Sequence, residues 1–281
     1  MHTRRDWLKA SMGIGGLLLS PYSSITEKEK ENFRPRNLES TVRLSSNENP
    51  YGPSKRVLNR IKDSFEYGCR YPGKFSDELA DILAKKHGVS SESIIITGGS
   101  REGLKITGLT YASKGEEIIT GYPTYLTMMK YAENWGASIN WVPVGDDKGY
   151  DLDEIEKRIS SKTSLVFLCN PNNPTGTIVP SKKLLDFCNS VSKKTLVFSD
   201  EAYYDYIETP NYPSMIGAVK RGENVVVSKT FSKVYGMAGL RLGYLVAKPE
   251  IANKIRKNLV AESNILAIEA AKEALMDESF Y

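Results

Sequence analysis

The sequence predicts an α/β fold in which a mostly parallel, seven-stranded sheet carries helices on both faces. From about residue 47 onward, short runs rich in β-branched and aromatic residues alternate with amphipathic stretches of helical length, which is the pattern of a parallel sheet covered on both sides. Polar or glycine-rich segments follow several of these runs, where open α/β sheets place their ligand-binding residues. With 281 residues, 40% of them hydrophobic, the chain can bury the core that such a sheet needs.

Seven segments fit the strand pattern. They are SIIIT at 93–97, EIIT at 117–120, SINWV at 138–142, SLVFLC at 164–169, TLVFS at 195–199, NVVVS at 224–228 and GYLVA at 243–247. Six stretches fit helices with one apolar face, near 54–66, 76–87, 101–112, 124–135, 151–160 and 181–191. A further, long helix is expected after Pro249.

Residues 1–26 have the three-part layout of an export signal. TRRDWLK at 3–9 precedes the apolar stretch ASMGIGGLLLS, and a polar segment follows. Its paired arginines resemble the twin-arginine signal, so we expect export to the periplasm after folding in the cytoplasm, or a cytoplasmic protein if the signal does not act. The apolar core is shorter than the roughly 20 residues that span a membrane, so no membrane span is expected. An amphipathic helix packed on the body is the alternative, and residues 27–46 are expected to be an arm or linker.

Composition argues against several classes of function. The 38 basic and 34 acidic residues are scattered, so nucleic acid is not an expected partner. His2 and His87 are the two histidines, and Cys69, Cys169 and Cys188 are too widely spaced for a disulfide framework or a zinc site. A catalytic triad or a histidine-based metal site is therefore difficult to build. We expect no metal, and we expect the difficult chemistry to come from an organic cofactor.

The segment GGSREGLKI, after the first strand, predicts a phosphate-binding turn. Its two glycines precede a helix that begins near Ser100, whose free N–H groups and positive dipole end would face an anion. Thr230 and Ser232 could add hydroxyl donors, and Arg241 a bidentate cation. A Gly-Gly turn before a helix is by itself more often only a turn, so the prediction depends on the agreement between distant segments.

Two further segments predict contacts with a cofactor ring. Asp200 ends the fifth strand, where a carboxylate could keep a pyridine nitrogen protonated so that the ring accepts electrons from a breaking Cα bond. Tyr203 could reach a ring hydroxyl. An acidic helix cap is the alternative for this segment. The segment NPNNPTG fixes a turn that would hold the amide of Asn173 in one direction, although a plain loop is the alternative.

Lys233 is the predicted nucleophile. It lies in SKTFSK, five residues beyond the sixth strand segment and just before the glycine-rich GMAGLR. A partly desolvated lysine beside other cations gives up its proton more readily and can attack an aldehyde. Lys229 competes for this role, but the spacing to the glycine-rich turn and to Arg241 favours Lys233. Lys229 is expected to be a solvated lysine.

These segments, in this order, resemble the class I and II aminotransferases of pyridoxal-phosphate fold type I, and most of all the histidinol-phosphate aminotransferase subfamily. The resemblance runs from about Leu44 to the chain end and includes LSSNENPYGPS and CRYPGKFSDEL, which are similar to the subfamily's opening motif and its RYP segment. It implies a pyridoxal-phosphate-binding large domain at 47–249. Residues 250–281 would begin the interdomain helix toward a small C-terminal domain that is largely missing, together with its arginine for the substrate carboxylate.

The resemblance also implies residue roles. Lys233 would form the Schiff base with pyridoxal 5'-phosphate and move the Cα proton. The other cofactor contacts would be Ser100, Arg101, Thr230, Ser232 and Arg241 at the phosphate, with Glu102 beside them, and Tyr125, Asn173, Tyr203 and Asp200 at the ring. Tyr71 would contact the cofactor phosphate of a neighbouring subunit, which implies a homodimer with shared sites, and Asn47 and Tyr51 would contact substrate. Arg101 departs from the family, which commonly has an acidic residue there.

The predicted function is a transaminase that moves an amino group between an amino acid or amine, of the histidinol-phosphate kind, and a 2-oxo acid. A decarboxylase of amino acids or their phosphates, or a lyase, on the same fold is one alternative. A shortened chain that binds the cofactor without turnover is the other. The export signal fits poorly with a biosynthetic step, so the amino donor stays open.

Overall fold

All seven predicted strands occur and form one sheet, in the order β1-β7-β6-β5-β4-β2-β3. Their bounds are β1 Ile94–Thr97, β2 Glu117–Tyr122, β3 Ser138–Pro143, β4 Thr163–Cys169, β5 Leu196–Asp200, β6 Val225–Thr230 and β7 Gly243–Ala247. Strand β7 runs antiparallel to both of its neighbours, and the other pairs are parallel. The predicted α/β fold with a mostly parallel sheet is therefore confirmed.

The computed structural model describes residues 44–277 and 280–281. Residues Glu48–Tyr281 form a compact unit. The predicted export signal at 1–26, and the arm at 27–46 apart from its last three residues, lie outside the described residues, so both stay predictions, as do the domain limits. Within the described ranges, no helix has the length and apolar character needed to cross a membrane.

The α-helices of the described chain include the six that the sequence predicted. Their bounds are α1 Lys55–Asp63, α2 Gly73–His87, α3 Ser100–Tyr111, α4 Thr127–Asn134, α5 Leu152–Lys157, α6 Ser181–Val191, α7 Ile216–Lys220, α8 Pro249–Arg256 and α9 Ile265–Met276. The expectation of one long helix after Pro249 was wrong. A new helix begins after Asn264, whose side chain accepts a hydrogen bond from the N–H of Ala267 at 2.8 Å and so caps α9.

Each face of the sheet is covered by its own helices. On one face, here called the α9 face, helices α1, α2, α5, α6, α7 and α9 pack on residues such as Val197 and Val227. On the other, the α3 face, helices α3, α4 and α8 pack on Phe198 and Val226. Successive residues of a strand point to opposite faces. The end of β6 therefore directs Lys229 to the α9 face and Thr230 to the α3 face.

His87, at the end of α2, is packed against the α9 face. Its Nε2 lies 2.9 Å from the hydroxyl of Tyr244 on β7. Burial lowers the pKa of His87 to about 4, and the positive charges of Lys229 and Lys86 act in the same direction. The imidazole is therefore neutral in the folded protein near neutral pH.

We expect acid to weaken the fold through His87. Its pKa is lowered from 6.5 to about 4 on folding. Between about pH 4 and 6.5 the imidazole is therefore protonated in the unfolded chain but neutral in the folded protein. This contribution to the free energy of unfolding is complete above about pH 6.5 and is lost as the pH falls toward 4. Urea unfolding of wild type and His87→Gln at several pH values measures it. The stability advantage of wild type should shrink as pH falls, and a constant difference would contradict the prediction.

Candidate active site

Most of the predicted site residues lie at one edge of the sheet. Strands β2, β4, β5 and β6 run parallel, so their carboxyl ends share this edge. Strand β1 is antiparallel to β7, which is antiparallel to β6, so β1 also ends here and leads into α3. Carboxyl ends of parallel strands are where open α/β sheets bind ligands.

Two glycines, Gly99 and Gly243, line a polar cup near the junction of β1 and α3. Gly99 has φ +92°, a conformation that L residues rarely adopt, and a Cβ on it would collide with the guanidinium of Arg241. At the start of β7, a Cβ on Gly243 would lie 2.8 Å from the backbone nitrogen of Ser100, the first residue of α3. Glycine is therefore needed at both positions, so that a guanidinium and a helix N-terminus can lie close together.

Three side chains from the β6–β7 connection complete this cup. The N–H of Ser232 donates to Thr230 Oγ1 at 3.1 Å. Arg241 Nη1 donates to Ser232 Oγ at 3.3 Å and to the carbonyl of Ala238 at 2.8 Å. Arg241 is exposed, so the cup opens to solvent. Hydroxyls, helix N–H groups and a guanidinium at one point suit a phosphate group.

Asp200 is a buried carboxylate at the end of β5, on the α3 face. It is 2% exposed, and its Oδ1 accepts a hydrogen bond from the N–H of Ala202 at 3.2 Å. Burial raises the pKa of the Asp200 carboxyl to about 7, against the opposing effect of the Ala202 N–H. A positively charged group bound beside it would stabilise the ionised form.

The structure separates the two competing lysines. Lys229 points to the α9 face, is 7% exposed, and pairs with Glu201 at 2.9 Å. Its Nζ also lies 3.7 Å from the ring centroid of Tyr204. The expectation of a solvated lysine was therefore wrong, because strand alternation places this side chain in the core. Lys233 instead lies beyond the strand end, with Nζ 5.1 Å from the ring centroid of Tyr203, and its charge acts on Asp200.

The loops that carry Tyr125 and Asn173 are bonded to each other. Thr124 Oγ1 donates to Asn172 Oδ1 at 2.9 Å, and Asn172 Nδ2 donates to the carbonyl of Pro123 at 3.0 Å. The ring of Tyr125 is partly buried against the core of the α3 face. The predicted stacking ring and the predicted amide therefore each lie one residue from these bonds.

Four further predicted site residues are exposed in the structure. Arg101 is exposed in the first turn of α3, and Tyr71 and Tyr51 are 92% and 87% exposed. Asn47 is exposed and precedes the compact unit in the sequence. Their roles stay predictions.

Sequence reasoning missed two contacts of the lysine loop. Asn49 Nδ2 donates to the carbonyl of Val234, next to Lys233, at 2.8 Å. A Cβ on Gly236 would collide with the backbone of Gly52. The signal was present in NENPYGP, but the contact to the lysine loop is made by Asn49, two residues after the predicted Asn47.

Comparison with known proteins identifies the family. The sequence profile described as aminotransferase class I and II matches residues 39–281. The histidinol-phosphate aminotransferase of Moorella thermoacetica is 40% identical over 250 residues, which are 88% of this chain and 64% of that protein. Histidinol-phosphate aminotransferase 2 of Bacillus cereus is 35% identical, over 85% of this chain and 65% of that protein. The chain thus spans just under two thirds of the length of these relatives.

Solved structures of histidinol-phosphate aminotransferases share the fold of this chain. The histidinol-phosphate aminotransferase from Sinorhizobium meliloti, in complex with pyridoxal-5'-phosphate, matches with a TM-score of 0.78 at 28% identity, over 84% of this chain and 64% of that chain. The enzyme of the same name from Clostridium acetobutylicum gives 0.76 at 25% identity, over 84% and 70%. A profile match over most of the chain, with a shared fold, shows that this chain belongs to the class I and II aminotransferases and has the architecture of their fold type I large domain.

Proposed function

We propose that this protein is a pyridoxal-phosphate-dependent aminotransferase that transfers an amino group from an amino donor to a 2-oxo acid. The observation that carries the proposal is the convergence of a polar cup with a guanidinium and a helix N-terminus, a buried carboxylate and a lysine at the carboxyl ends of neighbouring strands. Family membership supports the same reading.

The residues fit this cofactor in shape and charge. Glycine at position 99 lets the guanidinium of Arg241 lie against the N-terminus of α3, where both can bind one phosphate. Asp200 is a buried acid whose pKa is raised by burial to about 7, so a protonated ring nitrogen beside it would restore its charge. Both ends of the cofactor thus meet groups of matching chemistry.

The chain's own residues would divide the work. When bound, the cofactor supplies a ring that accepts the electron pair released at the substrate Cα. Lys233 would hold the cofactor aldehyde and, once displaced by the amino donor, carry the Cα proton. Asp200 would keep the ring nitrogen protonated. Asn173 and Tyr203 would bond the ring hydroxyl, and Tyr125 would stack on the ring.

The phosphate would be held by a separate set of groups. These are the N-terminus of α3 at Ser100, the hydroxyls of Thr230 and Ser232, and the guanidinium of Arg241. Ser232 and Lys233 are neighbours in the β6–β7 connection, so this connection would hold both the phosphate and the aldehyde of the cofactor. Arg101 lies one residue beyond Ser100 and would add positive charge at the rim.

For the amino donor we propose a compound of the histidinol-phosphate kind, an amine with an imidazole and a phosphate ester. The support is that the relatives at 40% and 35% identity are histidinol-phosphate aminotransferases. A decarboxylase or lyase would release carbon dioxide or an eliminated group and would need no acceptor, whereas a transaminase needs a 2-oxo acid to complete its cycle.

We also propose a homodimer with shared sites. Tyr71 is 92% exposed, and the large apolar side chains of Val260 and Phe65 are 81% and 64% exposed. Burying such apolar side chains against a second subunit would be favourable. A second copy would cover them and bring its Tyr71 toward the first copy's cup.

Lys233 should be the attachment point of the cofactor. Incubation with pyridoxal phosphate, reduction with borohydride and peptide mass analysis should place the adduct on the peptide containing Lys233. In Lys233→Ala the adduct should vanish, and transamination of histidinol phosphate with a 2-oxo acid should fall by at least about 100-fold, because the proton carrier is lost.

Lys229→Arg is the matched control, since arginine keeps the charge beside Glu201. Its adduct should remain on Lys233. An adduct on Lys229 in the wild type, or none at all, would overturn the proposal. Adduct formation without turnover would instead indicate a chain that binds the cofactor only.

Asp200 should make the cofactor-free protein less stable as pH rises. Its pKa is raised from 3.8 to about 7 on folding, so its favourable contribution is complete below about pH 3.8 and is lost as the pH rises through 7. The thermal stability of cofactor-free Asp200→Asn, relative to that of wild type, should therefore increase between about pH 4 and 7.

Added pyridoxal phosphate should reverse that order at about pH 7.5, because the charged carboxylate can then pair with the ring nitrogen and the amide cannot. An equal thermal shift of both proteins on cofactor addition would argue against the assigned role of Asp200.

Mixing two inactive variants should restore activity if sites are shared. Tyr71→Ala would damage the partner's site and Lys233→Ala its own, so a mixed dimer has one intact site. Random exchange should recover about one quarter of wild-type activity. Sedimentation measures the oligomeric state in parallel. Dimers that exchange subunits without recovering activity would refute the shared site.

A further inference from the structure

Tyr150 lies between β3 and α5 and reaches toward the carboxyl ends of β2 and β4. Its backbone position is set by the next residue, Asp151, which caps α5 by accepting a hydrogen bond from the N–H of Glu154 at 3.0 Å. Its ring packs on Gly121, where a Cβ would collide with the aromatic carbons. The side chain is therefore fixed at both its base and its ring.

The Tyr150 hydroxyl joins the two loops that flank the proposed ring site. It lies 2.7 Å from Thr124 Oγ1 and donates to Asn172 Oδ1 at 2.8 Å. It also accepts a hydrogen bond from the backbone N–H of Cys169, at the end of β4, at 3.2 Å. We call Tyr150, Thr124 and Asn172 the Tyr150 hub.

The three members of the hub have more contacts with one another than protons to fill them. Three oxygen–oxygen contacts join its members, because Thr124 Oγ1 also lies 2.9 Å from Asn172 Oδ1. The two hydroxyls supply only two protons, and the amide oxygen supplies none. At most two of the three contacts can therefore carry a proton in any one arrangement, and moving one member disturbs both others.

Asn172 extends the hub along both loops. Its Nδ2 donates to the carbonyl of Pro123 at 3.0 Å and to Thr175 Oγ1 at 2.8 Å. Each ring-contact candidate is the direct chain neighbour of a hub member, since Tyr125 follows Thr124 and Asn173 follows Asn172. The hub therefore joins the two loops at the residues that directly precede the ring-contact candidates.

We propose that Tyr150 is a positioning residue for the cofactor ring, because its hydroxyl fixes the spacing between the loops that carry Tyr125 and Asn173. This inference rests on the proposed function, which requires a ring at that place. Tyr150 does not touch the phosphate cup, whose groups come from α3 and the β6–β7 connection.

Tyr150→Phe tests the role because it keeps the ring on Gly121 and removes only the hydroxyl. The N–H of Cys169 then loses its described partner. Thr124 and Asn172 keep their direct contact but lose the second connection, which runs through the Tyr150 hydroxyl. We expect pyridoxal phosphate to bind about tenfold more weakly, which is the scale of one lost buried hydrogen bond. Inorganic phosphate, added as a competitor, should bind wild type and variant equally because the cup is unchanged.

Tyr244→Phe is the matched control. It removes the hydroxyl of another buried tyrosine, which bonds His87 at 2.9 Å on the α9 face, and it should leave the affinity for pyridoxal phosphate unchanged. Thr124→Val removes the second hydroxyl of the hub and should reproduce the effect of Tyr150→Phe. Absorbance titrations of the cofactor-free proteins give the dissociation constants, and thermal unfolding shows that each variant is folded.

The outcomes separate this inference from the proposed function. Wild type that binds no pyridoxal phosphate overturns both. Wild type that binds, with Tyr150→Phe and Thr124→Val no weaker than Tyr244→Phe, overturns the positioning role alone. A parallel loss of phosphate affinity in Tyr150→Phe also overturns it, since general damage and not ring placement would then explain the change.

Discussion

A pair of adjacent carboxylates at the end of the middle strand is the constraint on which the site depends. Asp200 and Glu201 are both 2% exposed, and two buried negative charges side by side are costly unless each finds a positive partner. The chain provides one buried partner, Lys229, and pairs it with Glu201 at 2.9 Å. Asp200 is directed toward the α3 face, where burial raises its pKa to about 7. Glu201 therefore stabilises the fold through its ion pair, whereas Asp200 can pair with a cation that a ligand supplies.

The same separation of faces governs the response to protons. Asp200 on the α3 face and His87 on the α9 face have pKa values shifted in opposite directions, to about 7 and about 4. Between these values, rising pH weakens the fold through the acid and strengthens it through the imidazole. The two effects oppose each other, so a flat pH profile of the whole protein would conceal two large local contributions. A cation bound beside Asp200 would remove the effect of the acid and leave that of the imidazole.

The strands and the glycine turn before α3 could be predicted from sequence because their signals are local. Runs such as SLVFLC are buried on both sides, and the glycines before α3 stand beside a helix start. Lys229 was misjudged because its partner Glu201 directly follows another strand, β5, and no local pattern reveals that pairing. The break between α8 and α9 depends on one capping residue, Asn264. Tyr150 gave no signal because its partners, Thr124 and Asn172, are 26 and 22 residues away along the chain.

The bond from Asn49 to Val234 joins positions that are 185 residues apart in the chain. Closing so long a loop is entropically costly, and contacts of this kind form after local ones. On a ribosome, the segment around Asn49 must wait for nearly the whole sheet to be synthesised before it meets its partner. The loop that carries Lys233 therefore depends on a contact that cannot form until residue 234 has been synthesised, and a chain without that contact does not yet present a fixed lysine loop to an aldehyde.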